Sequence, residues 1–523
     1  MSETVVRTRD LRGLLRRHWL IVTLLLVGVT LRVLTWIAYH PAILFGDSFR
    51  YLDNIGVHDP TGLHPIGYDF FVLDLLTVFG GLGFITAAQH VAGVLAGFAL
   101  YPLARRYGAP NWLAAIAAAP LLLDGYQLQI EQMIMSDAWQ QVLLVATLWL
   151  LLGWGAPNPA RAGIAGLLLG IAVAFRMAAL PLIVPALCYL VIAGGAWRSK
   201  RGWLKIATRS VALVLGFSIM VGGYAAYFYA ETGKVGLSNT TSNVLYGRAA
   251  VVADCDTLEL TELERLACPD EPLGERKGIN DYAHIIANEQ WRERFPPDTD
   301  IAPVLESFGM KTFQQQPVDI AGGIFVDFLK GFAPVRTQSY NDVPLLWWQF
   351  QRTFPFYNHE DKTREYIQEF DGVEPADQPV LAAVMRSYQL TVGYTPGTLL
   401  GIGGLIALAA GFGIGSRARA SGLRAAALLP VGMAITILGI SAAFEFSWRY
   451  QLPALSLLPI AGVLGITAYL RRDKKDSDGD PAEPVTTDQQ HGVPGQVPGQ
   501  TGAEEPAGQA QPPHTEGAPE ARG

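Results

Sequence analysis

Ten runs of roughly 17–22 apolar residues, each long enough to cross about 30 Å of hydrocarbon, decide what this chain can fold into. They fall near 19–39, 84–103, 111–126, 138–154, 162–176, 178–196, 209–230, 392–414, 425–444 and 451–470. The run at 111–126 is short, and the pair around Arg176 also reads as one broken hairpin. Charged residues make up only 16% of the 523, where a soluble chain carries about 25%. The expected fold is therefore an all-α integral membrane bundle of about ten transmembrane helices, with an inserted extracytoplasmic segment.

Basic residues set the expected orientation. Arg7, Arg9, Arg12, Arg16 and Arg17 precede the first run, Arg105 and Arg106 follow the second, and Arg198, Lys200, Arg201 and Lys205 follow the sixth. Arg417, Arg419 and Arg424 separate the eighth and ninth, and Arg471, Arg472, Lys474 and Lys475 follow the last. With an even number of spans all lie on one side, so both termini are expected in the cytoplasm of a bacterial plasma membrane. The first run is too long for a signal-peptide core and lacks a small-residue cleavage site, so it reads as an uncleaved anchor. The net charge of −7 comes from the large loop and the tail and says little about partners; no nucleic acid is expected among them.

Five regions follow. Residues 1–18 form a basic cytoplasmic arm. Residues 19–230 form an N-terminal block of about seven helices, with a first external loop at 40–83. Residues 231–391 form an extracytoplasmic segment too long to be a connector. Residues 392–470 form a three-helix block, and 471–523 a cytoplasmic tail. That tail is rich in Pro, Gly, Gln, Glu and Asp, has almost no aliphatic residues, and is expected to be disordered. Within 231–391, a short helix is expected at 258–266 and one surface helix at 281–295. An amphipathic helix is expected at 317–332. The aromatic cluster at 345–356 suits either the headgroup level or a small core. Cys255 and Cys268 lie close together in a loop exposed to an oxidising compartment and are expected to pair. Cys188 is expected to be buried, and no cysteine cluster suggests a metal.

Polar groups the membrane does not explain converge on one face. Asp47 lies just past the first run, within a helical turn of Arg50 and Tyr51. His64 and Tyr68 follow in the same loop; Glu131 and Asp137 lie in the second external loop; Arg176 interrupts a hairpin; Glu445, Arg449 and Tyr450 lie in the last external turn. Charge beside a bilayer is expensive and usually marks a site. Two arginines can hold a phosphate by forked hydrogen bonds, and a carboxylate can take a proton from an attacking hydroxyl. Plainer roles compete: Asp47 or Asp137 as helix caps, Arg176 or Arg449 reaching to headgroups, His64 as a turn residue, Glu131 and Glu445 as solvated charges or pair partners.

Several short motifs in this order resemble the GT-C glycosyltransferases that use polyprenyl-phosphate sugars, the group of protein O-mannosyltransferases and aminoarabinose transferases. They are Gly46-Asp47-Ser48-Phe49-Arg50-Tyr51, His64-Pro65-Ile66-Gly67-Tyr68, Ser136-Asp137, the stretch 166–181 with Arg176, and Arg449-Tyr450-Gln451-Leu452-Pro453. The resemblance covers roughly 19–230 and 440–470. It implies a polyprenyl-phosphate-linked sugar as donor, a glycan, lipid or protein acceptor, Asp47 as base, and inversion at the anomeric carbon. Arg449, with Arg176, Arg50 and Tyr450, would then bind the donor phosphate, and His64, Tyr68, Asp137, Glu131 and Glu445 would lie in the substrate site. Inversion places base and phosphate clamp on opposite sides of one sugar ring, so Asp47 is expected to stand apart from the arginines. Family members often carry two adjacent acids where this chain has Asp47-Ser48. No cofactor is expected, and a divalent cation stays open.

Two other readings remain: a transporter or flippase for a polar lipid or sugar, and a non-catalytic envelope-assembly protein. Clustering of the ionisable groups at one face, rather than near mid-membrane, disfavours the transporter. The tail's composition gives a first prediction. A chain truncated at Lys475 should keep full activity in a membrane extract at unchanged expression, and loss of activity would show that the tail is needed.

Overall fold

The structure is a computed structural model that describes residues 12–471 except 63, 195–198, 339–341 and 377. Most of the basic arm, Arg198 and the tail from 472 lie outside the described residues. Each of the ten apolar runs is helical. The helices are α1 (Trp19–Ala38), α2 (Gly46–Asp53), α3 (Leu82–Arg106), α4 (Asn111–Leu123), α5 (Gly125–Gln132), α6 (Asp137–Leu152), α7 (Pro159–Phe175), α8 (Ile183–Gly194) and α9 (Lys200–Thr232). They continue with α10 (Thr241–Val252), α11 (Ile301–Gln315), α12 (Pro317–Lys330), α13 (Pro379–Thr391), α14 (Gly397–Gly411), α15 (Arg424–Phe444) and α16 (Leu452–Leu470), with shorter helices between them. Among the described residues six helical segments are long and apolar enough to cross a membrane, or seven if a bent pair counts as one. α6, α7 and α14 are apolar but shorter. The protein is a multi-pass membrane protein.

The bent pair is α4 and α5, which meet at 46°. A break inside an apolar region strands carbonyls that no water can reach, so another group must satisfy them. Arg32, buried in α1, does so: it donates to Leu121 O at 2.9 Å and Leu122 O at 2.8 Å. The same guanidinium grips both oxygens of Glu131, each at 2.8 Å, while His90 lies 2.9 Å from Glu131 Oε2. Glu131 is fully buried, so its expected place in the substrate site is corrected: it anchors α5 to α1 and α3. Helices α7 and α9 approach through glycine. A Cβ on Gly166 would overlap Leu213 O, and one on Gly216 would overlap Gly163 O. This is the close backbone contact that small residues permit between membrane helices.

The loops rich in basic residues gather at one end of the bundle. Arg471 donates to Ser421 O and to Tyr107 O, and Asn111 donates to Arg17 O. The segment between α9 and α14 lies at the other end. Part of it forms a small core of its own around Tyr246, Trp291, Leu305 and Phe308, closed by the Cys255–Cys268 disulfide with Cα atoms 6.3 Å apart, as expected. The single helix expected at 281–295 is corrected to three short pieces, Ile279–Ala283, Ile285–Ala287 and Glu289–Arg292, because Tyr282, Trp291 and Phe295 turn inward to that core. The helix expected at 258–266 is shorter, Glu262–Arg265. α12 matches the amphipathic helix and exposes Val318, Phe325, Val326 and Leu329. Trp348 and Phe350 join the main core. Cys188 is exposed on α8 rather than buried, a position an apolar thiol tolerates on a hydrocarbon-facing surface.

The Arg32–Glu131 pair yields a stability test. Arg32→Met should lower stability by about 3–5 kcal/mol, because it leaves Glu131 charged and buried without its main partner. Arg32→Met combined with Glu131→Gln should recover part of that loss in thermal unfolding of the detergent-solubilised protein. A double variant no more stable than Arg32→Met alone would contradict it.

Candidate active site

At the end of the bundle away from the basic loops, four separate stretches bring charges together. Asp47 sits in the first turn of α2, where a carboxylate is favoured by the helix dipole. Ser48, its neighbour, receives a hydrogen bond from Phe45 N at 3.0 Å, so this position serves the helix start. Asp137 opens α6, Arg176 ends α7 in extended conformation, and Arg449 lies in the corner between α15 and α16. Asp137 is not a cap. Its Oδ1 accepts from Arg176 Nη1 and from Arg449 Nε, the latter at 3.1 Å.

Arg449 is the hub. Its Nη1 donates to Asp47 Oδ2 at 2.7 Å while its Nε holds Asp137. Base and clamp were expected one sugar ring apart; here they form a direct ion pair. A buried guanidinium is costly without counter-charge, and two carboxylates within reach supply it. His64 Nε2 lies 3.2 Å from Asp47 Oδ1, and its ring stacks on Tyr51. Burial alone would raise the Asp47 carboxyl, but His64 and Arg449 beside it hold it well below the usual carboxylate range. Glu445 shifts the other way: burial raises it, against the Tyr450 hydroxyl, which donates at 3.1 Å, and the nearby Arg449. Tyr450 also lies under both guanidinium groups, 5.1 Å from Arg176 and 5.6 Å from Arg449.

Among the described residues, Arg449 Nη2, Trp348 Nε1 and His64 Nε2 are buried in this cluster without a hydrogen-bond partner, as is the acceptor Asp137 Oδ2; the Trp348 ring lies 5.4 Å from the Arg449 guanidinium. Together with Arg176 the Arg449 and Trp348 donors make a place where an anionic oxygen can be held. Among the described residues no group of three or more His, Cys, Asp or Glu side chains could hold a metal ion.

Asp47, His64, Asp137, Arg176, Glu445, Arg449 and Tyr450 thus come together. Arg50 does not join them: its guanidinium lies against Gly62 and acts on Asp59 and Asp69. Tyr68 is fully buried beneath the cluster, packed against Tyr51 and bonded to Gln89, so it supports the wall. The sequence reading passed over Arg32, although a lone arginine inside an apolar run is itself a signal. It also passed over Trp348 as a donor, and nothing in its aromatic surroundings sets it apart.

The depressed Asp47 carboxyl has a pH signature. Because the folded group titrates below its unfolded value, its contribution to stability is present above about pH 4 and fades as the pH falls further. The gap in Tm between the wild type and Asp47→Asn should stay constant from about pH 7 to about pH 5 and shrink below about pH 4. A gap that already shrinks near neutrality would show that Asp47 is not held in this way.

Residues 63–220 match the family model described as dolichyl-phosphate-mannose-protein mannosyltransferase. No curated protein matches the chain. Among solved structures, the archaeal oligosaccharyltransferase AglB from Archaeoglobus fulgidus, in complex with an inhibitory peptide and a dolichol-phosphate, is similar at 14% identity and a TM-score of 0.44. That similarity covers 86% of this chain and 50% of AglB, so the chain spans about half the length of that protein. ArnT from Cupriavidus metallidurans, bound to undecaprenyl phosphate, is similar at 15% identity and a TM-score of 0.30, over 86% of this chain and 77% of ArnT. The residues that match this family model, 63–220, include His64, Asp137 and Arg176 of the charged cluster.

Proposed function

We propose that this protein is a GT-C-type membrane glycosyltransferase that moves a sugar from a polyprenyl-phosphate donor to an extracytoplasmic hydroxyl, with inversion. The observation that carries this reading is Arg449, which joins Asp47 to Asp137 and Arg176 and keeps a free buried donor beside Trp348. The family match over 63–220 supports the reaction class. In this reading both termini are cytoplasmic and the site faces outward, which agrees with the gathering of the basic loops at the opposite end.

The donor phosphate is held by Arg176, Arg449 and the Trp348 indole. Asp47 is ionised and able to accept the acceptor's proton, but its pairing with Arg449 makes it a weak base. A phosphate that draws Arg449 away leaves Asp47 beside His64 alone and raises its basicity. The acceptor oxygen then attacks the anomeric carbon while its proton passes to Asp47. The bond to the phosphate oxygen breaks, and polyprenyl phosphate departs with its new charge held by the arginines. No cofactor enters this scheme.

Asp47→Asn should lower transfer from an undecaprenyl-phosphate sugar by about 10²–10⁴-fold, the usual cost of losing a general base. Arg449→Gln should lower it by about 10²–10³-fold or more. Undecaprenyl phosphate binding should survive in Asp47→Asn and weaken in Arg449→Gln. A non-catalytic assembly protein would show no transfer to lose, and an Asp47→Asn variant with the full transfer rate would overturn the mechanism.

A further inference from the structure

A cavity of about 240 Å³ adjoins this centre on the side of the extracytoplasmic segment. Its walls come from α10, α12, the short helix Ile279–Ala283 and the end of α15, and Glu445 belongs to both the cavity and the Arg449 cluster. Arg248 donates to Asp327 and to the carbonyls of Ala442, at 2.5 Å, and Ala443, at 3.2 Å, which fixes the backbone just before Glu445. Lys330 bridges Asp327 at 2.9 Å and Asp342 at 2.7 Å and lies 5.0 Å from the Phe446 ring centre. The lining holds two cations, Arg248 and Lys330, against three carboxylates, Asp327, Asp342 and Glu445, so the cavity does not select an anion. It offers a ring of oriented donors and acceptors around a small space with an aromatic face. The space is smaller than the ~300–1,000 Å³ of pockets that take drug-sized molecules. α12 leaves the mouth open with Gly322, where a Cβ would meet nothing within 4 Å.

Resting on the glycosyltransferase reading, we infer that this cavity binds one neutral monosaccharide ring of the acceptor, which makes the acceptor a glycan. The excess of carboxylates over cations argues against a phosphate, the size against a longer chain, and the mixture of carboxylate, amide and ammonium groups suits multiple hydroxyls. A ring seated there has Glu445 at its inner end, so one of its hydroxyls can extend past Glu445 towards Asp47. The extracytoplasmic segment then supplies acceptor specificity, while the helical bundle supplies the donor site and the chemistry.

The test uses the full chain in lipid nanodiscs and saturation-transfer NMR. The probes are methyl glycosides of glucose, mannose, galactose and arabinose, with a threonine-containing hexapeptide as the competing ligand class. At least one glycoside should bind the wild type, Asp47→Asn and Gly322→Ala, and its signal should be lost in Gly322→Leu, whose side chain closes the mouth. Thermal unfolding and undecaprenyl phosphate binding should be unchanged in both Gly322 variants. No glycoside signal in the wild type, a signal that survives Gly322→Leu, or hexapeptide binding that is lost in Gly322→Leu would each overturn the inference. If any of these occurs while undecaprenyl phosphate still binds, only the acceptor assignment falls. Failure of undecaprenyl phosphate to bind the wild type would instead remove the glycosyltransferase reading.

Discussion

The sharing of Arg449 between Asp47 and Asp137 holds the functional end of this molecule together. A guanidinium in a water-poor site is stable only where negative charge meets it with good geometry. Here the partners come from positions 47 and 137, far from 449 in sequence, and Arg176 joins through the same Asp137 oxygen. Two carboxylates face two guanidinium groups, Tyr450 fills the space beneath both cations, and burial raises the Glu445 carboxyl. Among the described residues Arg449 Nη2 and Trp348 Nε1 keep unused donor capacity here, and Asp137 Oδ2 keeps an unused acceptor.

A balanced cluster can be held at rest and rearranged by a charged ligand at modest cost. In the proposed reaction a phosphate would compete with Asp47 for the same guanidinium, so that donor binding and base activation would become one event. The buried network of Arg32, Glu131 and His90 plays a different part. Its groups satisfy one another and the carbonyls stranded at the break between α4 and α5, which leaves it nothing to offer a ligand. Burial and charge are alike in the two networks; the unused donors separate them.

The cavity beside Glu445 extends this division of labour. The segment between α9 and α14 builds its own small core around Tyr246 and Phe308 and then reaches back through Arg248 to the end of α15. That contact ties the position of Glu445 to the packing of the segment, so the corner that bears Arg449 is braced from both sides.

The apolar runs by themselves determined the helical elements, because hydrocarbon admits few other backbone conformations. The oxidising setting and short spacing of Cys255 and Cys268 likewise made their pairing legible. The one-face convergence of Asp47, His64, Asp137, Arg176, Glu445 and Arg449 was legible as well, since each lies at the same end of its run. Pairing was not. Glu131 and Asp137 read alike in sequence, but Glu131 is drawn inward by Arg32 while Asp137 meets Arg176 and Arg449. Arg50 and Asp47, three residues apart, turn to different neighbours because Gly62 and the loop around it take up one side of α2. The cavity behind Glu445 was invisible, since its walls come from helices near 248, 280 and 327 and a corner near 445. Hydrophobic length acts locally and can be read along the chain. The partner of a buried charge depends on which helices come within about 3 Å of it, and only the tertiary structure decides that.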